Sequence, residues 1–195
     1  GEKRFFKIKL PDWAYDVFDV DLLHKAIREA QGNDDDWDKP DPWTQNTIYS
    51  HEVLEENLRL HNDFRKKHYA PNLEYLTALD EMSRKYAIKL APEVSKYGDA
   101  ALDHDYTAMD KYGLSQNLYK EDTSFDGRPP AKVVKHAVEA WYREINYFNQ
   151  FGVPKPNITH PKITGHFTAL VWRASRRMGL GIAKFRNKTT ERTHY

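Results

Sequence analysis

The 195-residue sequence predicts an α+β domain preceded by an N-terminal extension. Three stretches repeat apolar residues at helical spacing, around Val53 to Phe64, Leu79 to Leu90 and Val133 to Phe148. Between 178 and 183, Met178, Leu180 and Ile182 instead alternate with Gly179, Gly181 and Ala183. That is the pattern of a strand with one bulky face and one small face against which a helix can pack closely. Residues 1–49 differ from both, because Lys3, Arg4, Lys7 and Lys9 give way to a segment dominated by Asp and Trp. At 39% hydrophobic residues, the chain can bury one sizeable core with an appendage, giving an extension over 1–49 and a domain over 50–195.

The formal net charge of +1 gives no field to attract nucleic acid, and no nucleic-acid partner is expected. The absence of cysteine excludes disulfides and thiolate metal ligands. It favours an intracellular location over a secreted one. No stretch approaches the roughly 18 uninterrupted apolar residues of a membrane span, so any membrane association is expected to be peripheral. Asn157-Ile158-Thr159 and Asn187-Lys188-Thr189 fit the N-glycosylation pattern and matter only in a secreted protein.

Within the extension, Asp19 or Asp21 can cap a helix carrying Leu22, Leu23, Ala26, Ile27 and Ala30, with Gly32 as its stop. The acidic run Asn33 to Asp38 lacks the Gly and the distant Glu of a calcium loop, and reads as solvated. Trp37 and Trp43, with Pro40 and Pro42, suggest an extended segment pinned by aromatic anchors. Ser50 offers a cap for the first helix of the domain, which runs up to the break at Pro71. A second helix starts at Asn72 or Thr77 and is expected to end near Pro92. After Gly98 come a polar loop around His104, Tyr106 and Tyr112, a strand-like piece over Gln116 to Tyr119, and an irregular linker from Glu121 to Arg128. Pro129 and Pro130 open a third helix that continues to Phe148, and a proline-rich loop spans 151–161.

The stretch Gly165 to Trp172 combines a small residue, a titratable His and a dense apolar block. Phe167, Leu170, Val171 and Ala174 fit a helical face, while Phe167, Ala169 and Val171 also fit a strand, so periodicity leaves the element open. An apolar block anchored by a buried Trp172 would hold His166 rigidly beside the space left by Gly165.

Four separated motifs resemble one family. Gly165 to Ser175 fits the signature of the CAP superfamily of cysteine-rich secretory proteins, antigen 5 and pathogenesis-related 1 proteins. His61-Asn62-Asp63-Phe64-Arg65 is similar to its HNxxR helix motif, and Trp141-Tyr142-Arg143-Glu144-Ile145 to its third-helix motif. Ser115-Gln116-Asn117-Leu118 resembles its G-[EQ]-N-[ILV] strand, with Ser in place of Gly. The resemblance implies a three-layer α-β-α sandwich with a small antiparallel sheet, and it makes Gly165 to Trp172 a short helix. The cysteine-free chain looks closest to the Golgi-associated, intracellular branch. The family's closing strand is expected to be cut short at Tyr195, so that either the chain is truncated or a sheet position is left open, and an exposed sheet edge invites aggregation or strand exchange.

Carried over residue by residue, the family's cleft falls on His104, Gln116, Glu144 and His166. Two imidazoles, His104 and His166, can bind Zn2+ or another divalent metal through neutral nitrogens, with a carboxylate completing the shell or orienting a ligand. Gln116 is a poor zinc ligand and no general base, which leaves Glu144 as the one acid-base candidate and favours binding over catalysis. A histidine placed like His166 can equally serve structure by bonding a neighbouring Glu, and the residues alone leave both readings open. His61, Asn62 and Arg65 are expected to tie the first helix to the sheet.

In some members the family binds sterols, fatty acids or anionic phospholipids. Here Arg173, Arg176, Arg177, Lys184 and Arg186 form a local basic cluster that could meet an anionic membrane surface. The expectation is therefore a non-enzymatic binding module for lipid, a membrane surface or a protein partner, with a His-lined cleft able to hold a metal. A metal-dependent hydrolase or protease is the first alternative. The second is a scaffold in which the acidic extension pairs with the basic cluster, within the chain or in a homo-oligomer.

Overall fold

The computed structural model describes residues 51–123, 128–149, 164–187 and 192–194. The expected extension helix, the Trp37 and Trp43 anchors and the 151–161 loop lie outside the described residues. The described residues fall into two compact units: His104–Gln116 belongs to one, and 51–103 with 117–194 to the other.

The larger unit begins with α1 (His51–Lys66), whose one face buries Val53, Asn57, Leu60, His61 and Arg65 at helical spacing. Its outer face carries Arg59 between Glu56, at 2.8 Å, and Asp63, at 2.7 Å. The helix ends in a Schellman turn, in which Ala70 N–H bonds Arg65 O at 3.0 Å and Tyr69 N–H bonds Lys66 O at 3.2 Å. Helix α2 (Thr77–Tyr97) does not stop near Pro92 as expected. Pro92 lies inside it on the exposed side, and the buried Val94 keeps the final turn docked despite the missing N–H. Helix α4 (Pro130–Arg143) starts with Pro129 at its cap and Pro130 in its first turn, and buries Val133, Val134, Ala137 and Val138 against α1. The expected continuation to Phe148 tightens into a 3-10 turn over Glu144–Tyr147.

In the smaller unit, the expected polar loop is in fact helix α3 (Tyr106–Tyr112). Asp105 caps its start by accepting from Ala108 N–H at 3.0 Å, and Gly113 ends it in the left-handed region at φ 63°. Residues 116–119 do not form a strand; from Asn117 the chain is again in the larger unit, where Leu118 spends its carbonyl on the Trp141 indole N–H at 2.9 Å, and the strand β2 falls later, at Asp122–Thr123.

The element left open by periodicity is a helix, α5 (Gly165–Leu170), which buries Phe167 and Leu170 on one face. Trp172 is not a buried anchor: it is 57% exposed, and Leu170 takes the buried place instead. Strand β1 (Glu74–Tyr75) pairs in parallel with β3 (Arg177–Met178). Strands β4 (Phe185–Asn187) and β5 (Arg192–His194) form an antiparallel sheet with β2, in the order β2-β5-β4.

Past β3 the chain leaves ladder pairing, yet its two faces behave as the alternation of residue sizes predicts. A Cβ at Gly179 would overlap the backbone of Leu79 and Asp80, and one at Gly181 that of Ser83 and Arg84, so this face lies directly on α2. Ile182 points the other way into the core of Val53, Leu60, Val134, Val138 and Leu170, with Leu180 packed beside it. The unit is thus mostly helical with small sheets, consistent with an α-β-α sandwich, with α2 on one side of this segment and the α1–α4 core on the other. Asp80 closes the seam by accepting Leu180 N–H at 2.7 Å.

Two predictions follow from this packing. Gly181→Ala is expected to cost about 1–3 kcal/mol in urea unfolding because the rigid α2 backbone cannot move aside. Gly165→Ala, with nothing within 4 Å of the added methyl, should be neutral or stabilising by up to about 1 kcal/mol. The second concerns pH. Burial is the main cause holding His61 down to about 4, opposed by its bond to Asn57 O and aided by Arg65. Burial likewise pushes Asp80 up to about 6, opposed by Leu180 N–H and aided by Glu81. Between about pH 6.5 and 4 the unfolded chain protonates His61 while the fold keeps it neutral, so this group's contribution is lost on acidification. Asp80 has the opposite sign, because the fold takes up its proton near 6 and the unfolded chain only near 3.8. The Tm of Asp80→Asn minus that of wild type should therefore fall on acidification below pH 6, whereas the difference for His61→Gln should rise.

Candidate functional site

The site in the larger unit is built where α4 ends and α5 begins. Glu144, the first residue after α4, places Oε1 2.7 Å from His166 Nδ1 and accepts Phe167 N–H on Oε2 at 2.9 Å. Phe167 N–H is one of the amides at the start of α5 that no helical carbonyl can satisfy. Thr164 precedes the helix without capping it through its side chain, so Glu144 supplies the missing acceptor from another element. A carboxylate oxygen accepts, so Nδ1 of His166 is the donor of this pair and Nε2 is the ring nitrogen left for another partner. The His166 side chain is 32% exposed and that of Glu144 13%.

Two further contacts hold His166, one at its backbone and one at its ring. Asn117 Nδ2 donates to His166 O at 3.0 Å, and the Trp141 ring lies alongside the imidazole with centroids 6.3 Å apart and planes 27° apart. Below α5, Phe167 meets Tyr142, Phe148 and His68, and Phe64 stacks on Tyr142 at 3.8 Å. His68 Nε2 lies 3.0 Å from Tyr142 Oη, and burial holds His68 below the usual histidine range while raising the Tyr142 hydroxyl.

The smaller unit contains the other two cleft residues. Gln116 Oε1 accepts from Asp105 N–H at 3.1 Å and lies 2.9 Å from His104 Nδ1. A backbone N–H can only donate, so this amide atom is the oxygen, and His104 too carries a proton on Nδ1. Gln116, read from sequence as a lost ligand, therefore fixes the tautomer of His104. The expected four residues form two pairs, Glu144 with His166 and Gln116 with His104. Both oxygens of Glu144 already hold protein donors, so it acts on His166 and on α5.

The basic cluster is divided. Arg173 and Arg176 are exposed on the turn after α5, with Arg176 Nη1 bonding Ser175 O at 3.1 Å and Arg173 O. Arg177 pairs with Glu74 across the β1–β3 rung, Lys184 is half-buried, and the Arg186 side chain lies outside the described residues. The HNxxR residues are structural. Asn62 brackets Leu73 with bonds of 3.1 and 2.8 Å, and Nδ1–H of the buried His61 donates to Asn57 O at 2.9 Å. Arg65, fully buried, donates to Pro71 O at 2.7 Å, Leu170 O at 2.9 Å, Trp172 O at 3.0 Å and Ser175 O at 2.9 Å. These bonds tie α1 to the turns that lead into β1 and β3, the role expected of it.

Sequence reasoning missed a second histidine–carboxylate pair. Glu121 Oε2 lies 2.8 Å from His136 Nδ1 and accepts from Tyr119 Oη at 3.0 Å, while Arg128 Nε is 2.5 Å from Oε1. Burial beside Glu121 pushes the Tyr119 hydroxyl up to about 12. No local spacing links residues 121 and 136, so the sequence carried no signal for this network.

The small-and-large alternation against α2, the buried HNxxR residues and the carboxylate-held histidine at the mouth of α5 define one class of protein. The profile of "CAP: Cysteine-rich secretory protein family" matches residues 58–195, and the chain belongs to that family. The human Golgi-associated plant pathogenesis-related protein 1 is 28% identical over 136 residues, covering 66% of this chain and 71% of its own. Venom allergen 5 of Vespula vidua is 31% identical over 162 residues, covering 72% and 69%. A crystal structure of NaASP2 with Zn2+ aligns over 76% of this chain and 79% of its own, at 16% identity and a TM-score of 0.48.

Proposed function

We propose that this CAP domain is a binding module rather than a hydrolase, and that His166 is its ligand-facing group. The observation that carries this reading is the double engagement of Glu144: one oxygen orients His166 and the other anchors α5. A carboxylate so placed sets the tautomer and basicity of the imidazole, which is the support a metal-ligating histidine needs. The donor chemistry fits Zn2+, since an imidazole whose Nδ1 is held by a carboxylate can turn Nε2 to a metal, as His166 would. Among the described residues, no three His, Asp or Glu side chains gather to hold a metal ion, so any such ion would keep positions open to outside ligands. When bound, zinc would polarise a coordinated oxygen.

Zinc titration of the full chain should show binding that His166→Ala abolishes and Glu144→Gln weakens about 10- to 100-fold. His104→Ala, measured alongside, reports what the other imidazole adds. Unchanged affinity in His166→Ala rejects the ligand role. Zinc-dependent turnover of an ester or peptide that His166→Ala removes would establish the hydrolase instead.

The exposed Arg173 and Arg176 favour a second reading, peripheral contact with an anionic membrane surface. Each basic residue near such a surface contributes roughly 1 kcal/mol. Among the described residues, no helix is long and apolar enough to cross a membrane. In flotation, phosphatidylserine-containing vesicles should carry the protein while neutral ones leave it behind, and Arg173→Gln with Arg176→Gln should lower binding about tenfold or more. Equal binding to both vesicles rejects the charge mechanism.

A further inference from the structure

Two large aromatic side chains stand in solvent on turns that one buried side chain fixes. Tyr69 occupies the position after α1 that completes its Schellman turn, with φ 53°, and it is 86% exposed. Glycine suits that left-handed position, because a Cβ crowds the backbone there. A tyrosine in its place accepts strain with almost no burial to offset it. Strain of this kind gathers where a side chain is needed for something other than folding. Trp172, 57% exposed, sits on the turn after α5.

The guanidinium of Arg65 holds both turns, with Nε on Pro71 O and Nη1 on Trp172 O. The rings therefore rise from a rigid base. The residues around them are cationic: 66–72 contains Lys66 and Lys67, 171–176 contains Arg173 and Arg176, and neither segment contains Asp or Glu. Lys66, Lys67, Arg173 and Arg176 are all exposed. The neighbouring acids are engaged elsewhere, Asp63 with Arg59 and Glu74 with Arg177.

We propose that Tyr69 and Trp172 are interfacial anchors of a docking face for anionic lipid, with Lys66, Arg173 and Arg176 meeting the headgroups. This rests on the membrane reading above and adds to it the residues that would enter the bilayer surface. Tyr and Trp each join an apolar ring to a polar tip and settle at headgroup depth, where one end is dry and the other wet. Cations draw the face to an anionic surface, and the rings retain it there.

The test uses the full chain with Tyr69→Gly, Trp172→Ser and the Arg173→Gln/Arg176→Gln pair, on phosphatidylserine-containing and neutral phosphatidylcholine vesicles at low and high salt. Glycine fits the backbone of residue 69, so the Tm of Tyr69→Gly should match or exceed wild type, and lost binding cannot then be ascribed to misfolding. Each aromatic variant is expected to bind anionic vesicles about tenfold more weakly, as removal of a partly inserted ring requires. Brominated lipid should quench wild-type fluorescence more than that of Trp172→Ser. If both aromatic variants bind anionic vesicles like wild type, the anchors are overturned while the charge reading stands. If wild type binds both vesicles equally but the aromatic variants bind neither, the anchors stand and the charge reading falls. If wild type binds no vesicle, or binds only an acidic protein surface, both are overturned.

Discussion

A single buried cation holds the larger unit together. Among the described residues, the Arg65 guanidinium is spread over four backbone carbonyls, on Pro71, Leu170, Trp172 and Ser175. A charge taken out of water is tolerated only when its donors are met, and a planar fork of five N–H groups can meet several acceptors at once where a lysine ammonium cannot. The arrangement joins the end of α1 to segments more than a hundred residues away in sequence, and those segments carry α5 on one side and β3 on the other. His166 inherits its position from this clamp, since the helix that begins beside it ends on the Leu170 carbonyl that Arg65 holds.

The same economy operates at Glu144. In a short helix such as α5, the orphan amides of the first turn make up most of the backbone donors, and a distant carboxylate that satisfies one of them also fixes how the two helices meet. Orientation of the imidazole and docking of α5 are therefore one event. A polar site placed on such a joint is preorganised without needing a deep pocket around it.

Much of this was legible in the sequence, for identifiable reasons. The alternation of Gly179 and Gly181 with Leu180 and Ile182 encoded a three-layer stack, because only a missing side chain lets one backbone lie on another. The HNxxR run, the Trp141 to Ile145 motif and the Gly165 to Ser175 signature located Arg65, Glu144 and His166 by family pattern. What was hidden depends on backbone acceptors or on distant partners. The acceptors of Arg65 are carbonyls, which any residue type supplies, and Gln116 to Tyr119 reads as a strand until Leu118 is seen to spend its carbonyl on Trp141. Helix α3 was missed although Asp105 and Gly113 mark its ends, since its 7 residues, just under two turns, are too short for periodicity to register. Trp172 misled because size and apolarity suggest burial, whereas the turn after α5 leaves it outside.

The last strand of the described residues, β5, is the middle of its sheet, bonded to β2 on one side and to β4 on the other. During synthesis on the ribosome, β2 emerges long before the partner it must pair with, and in that interval its backbone groups have only water or a foreign strand to bond. Completion of the sheet thus waits for residues 192–194, and until they arrive β2 is an unpaired edge of the kind a foreign strand can bind.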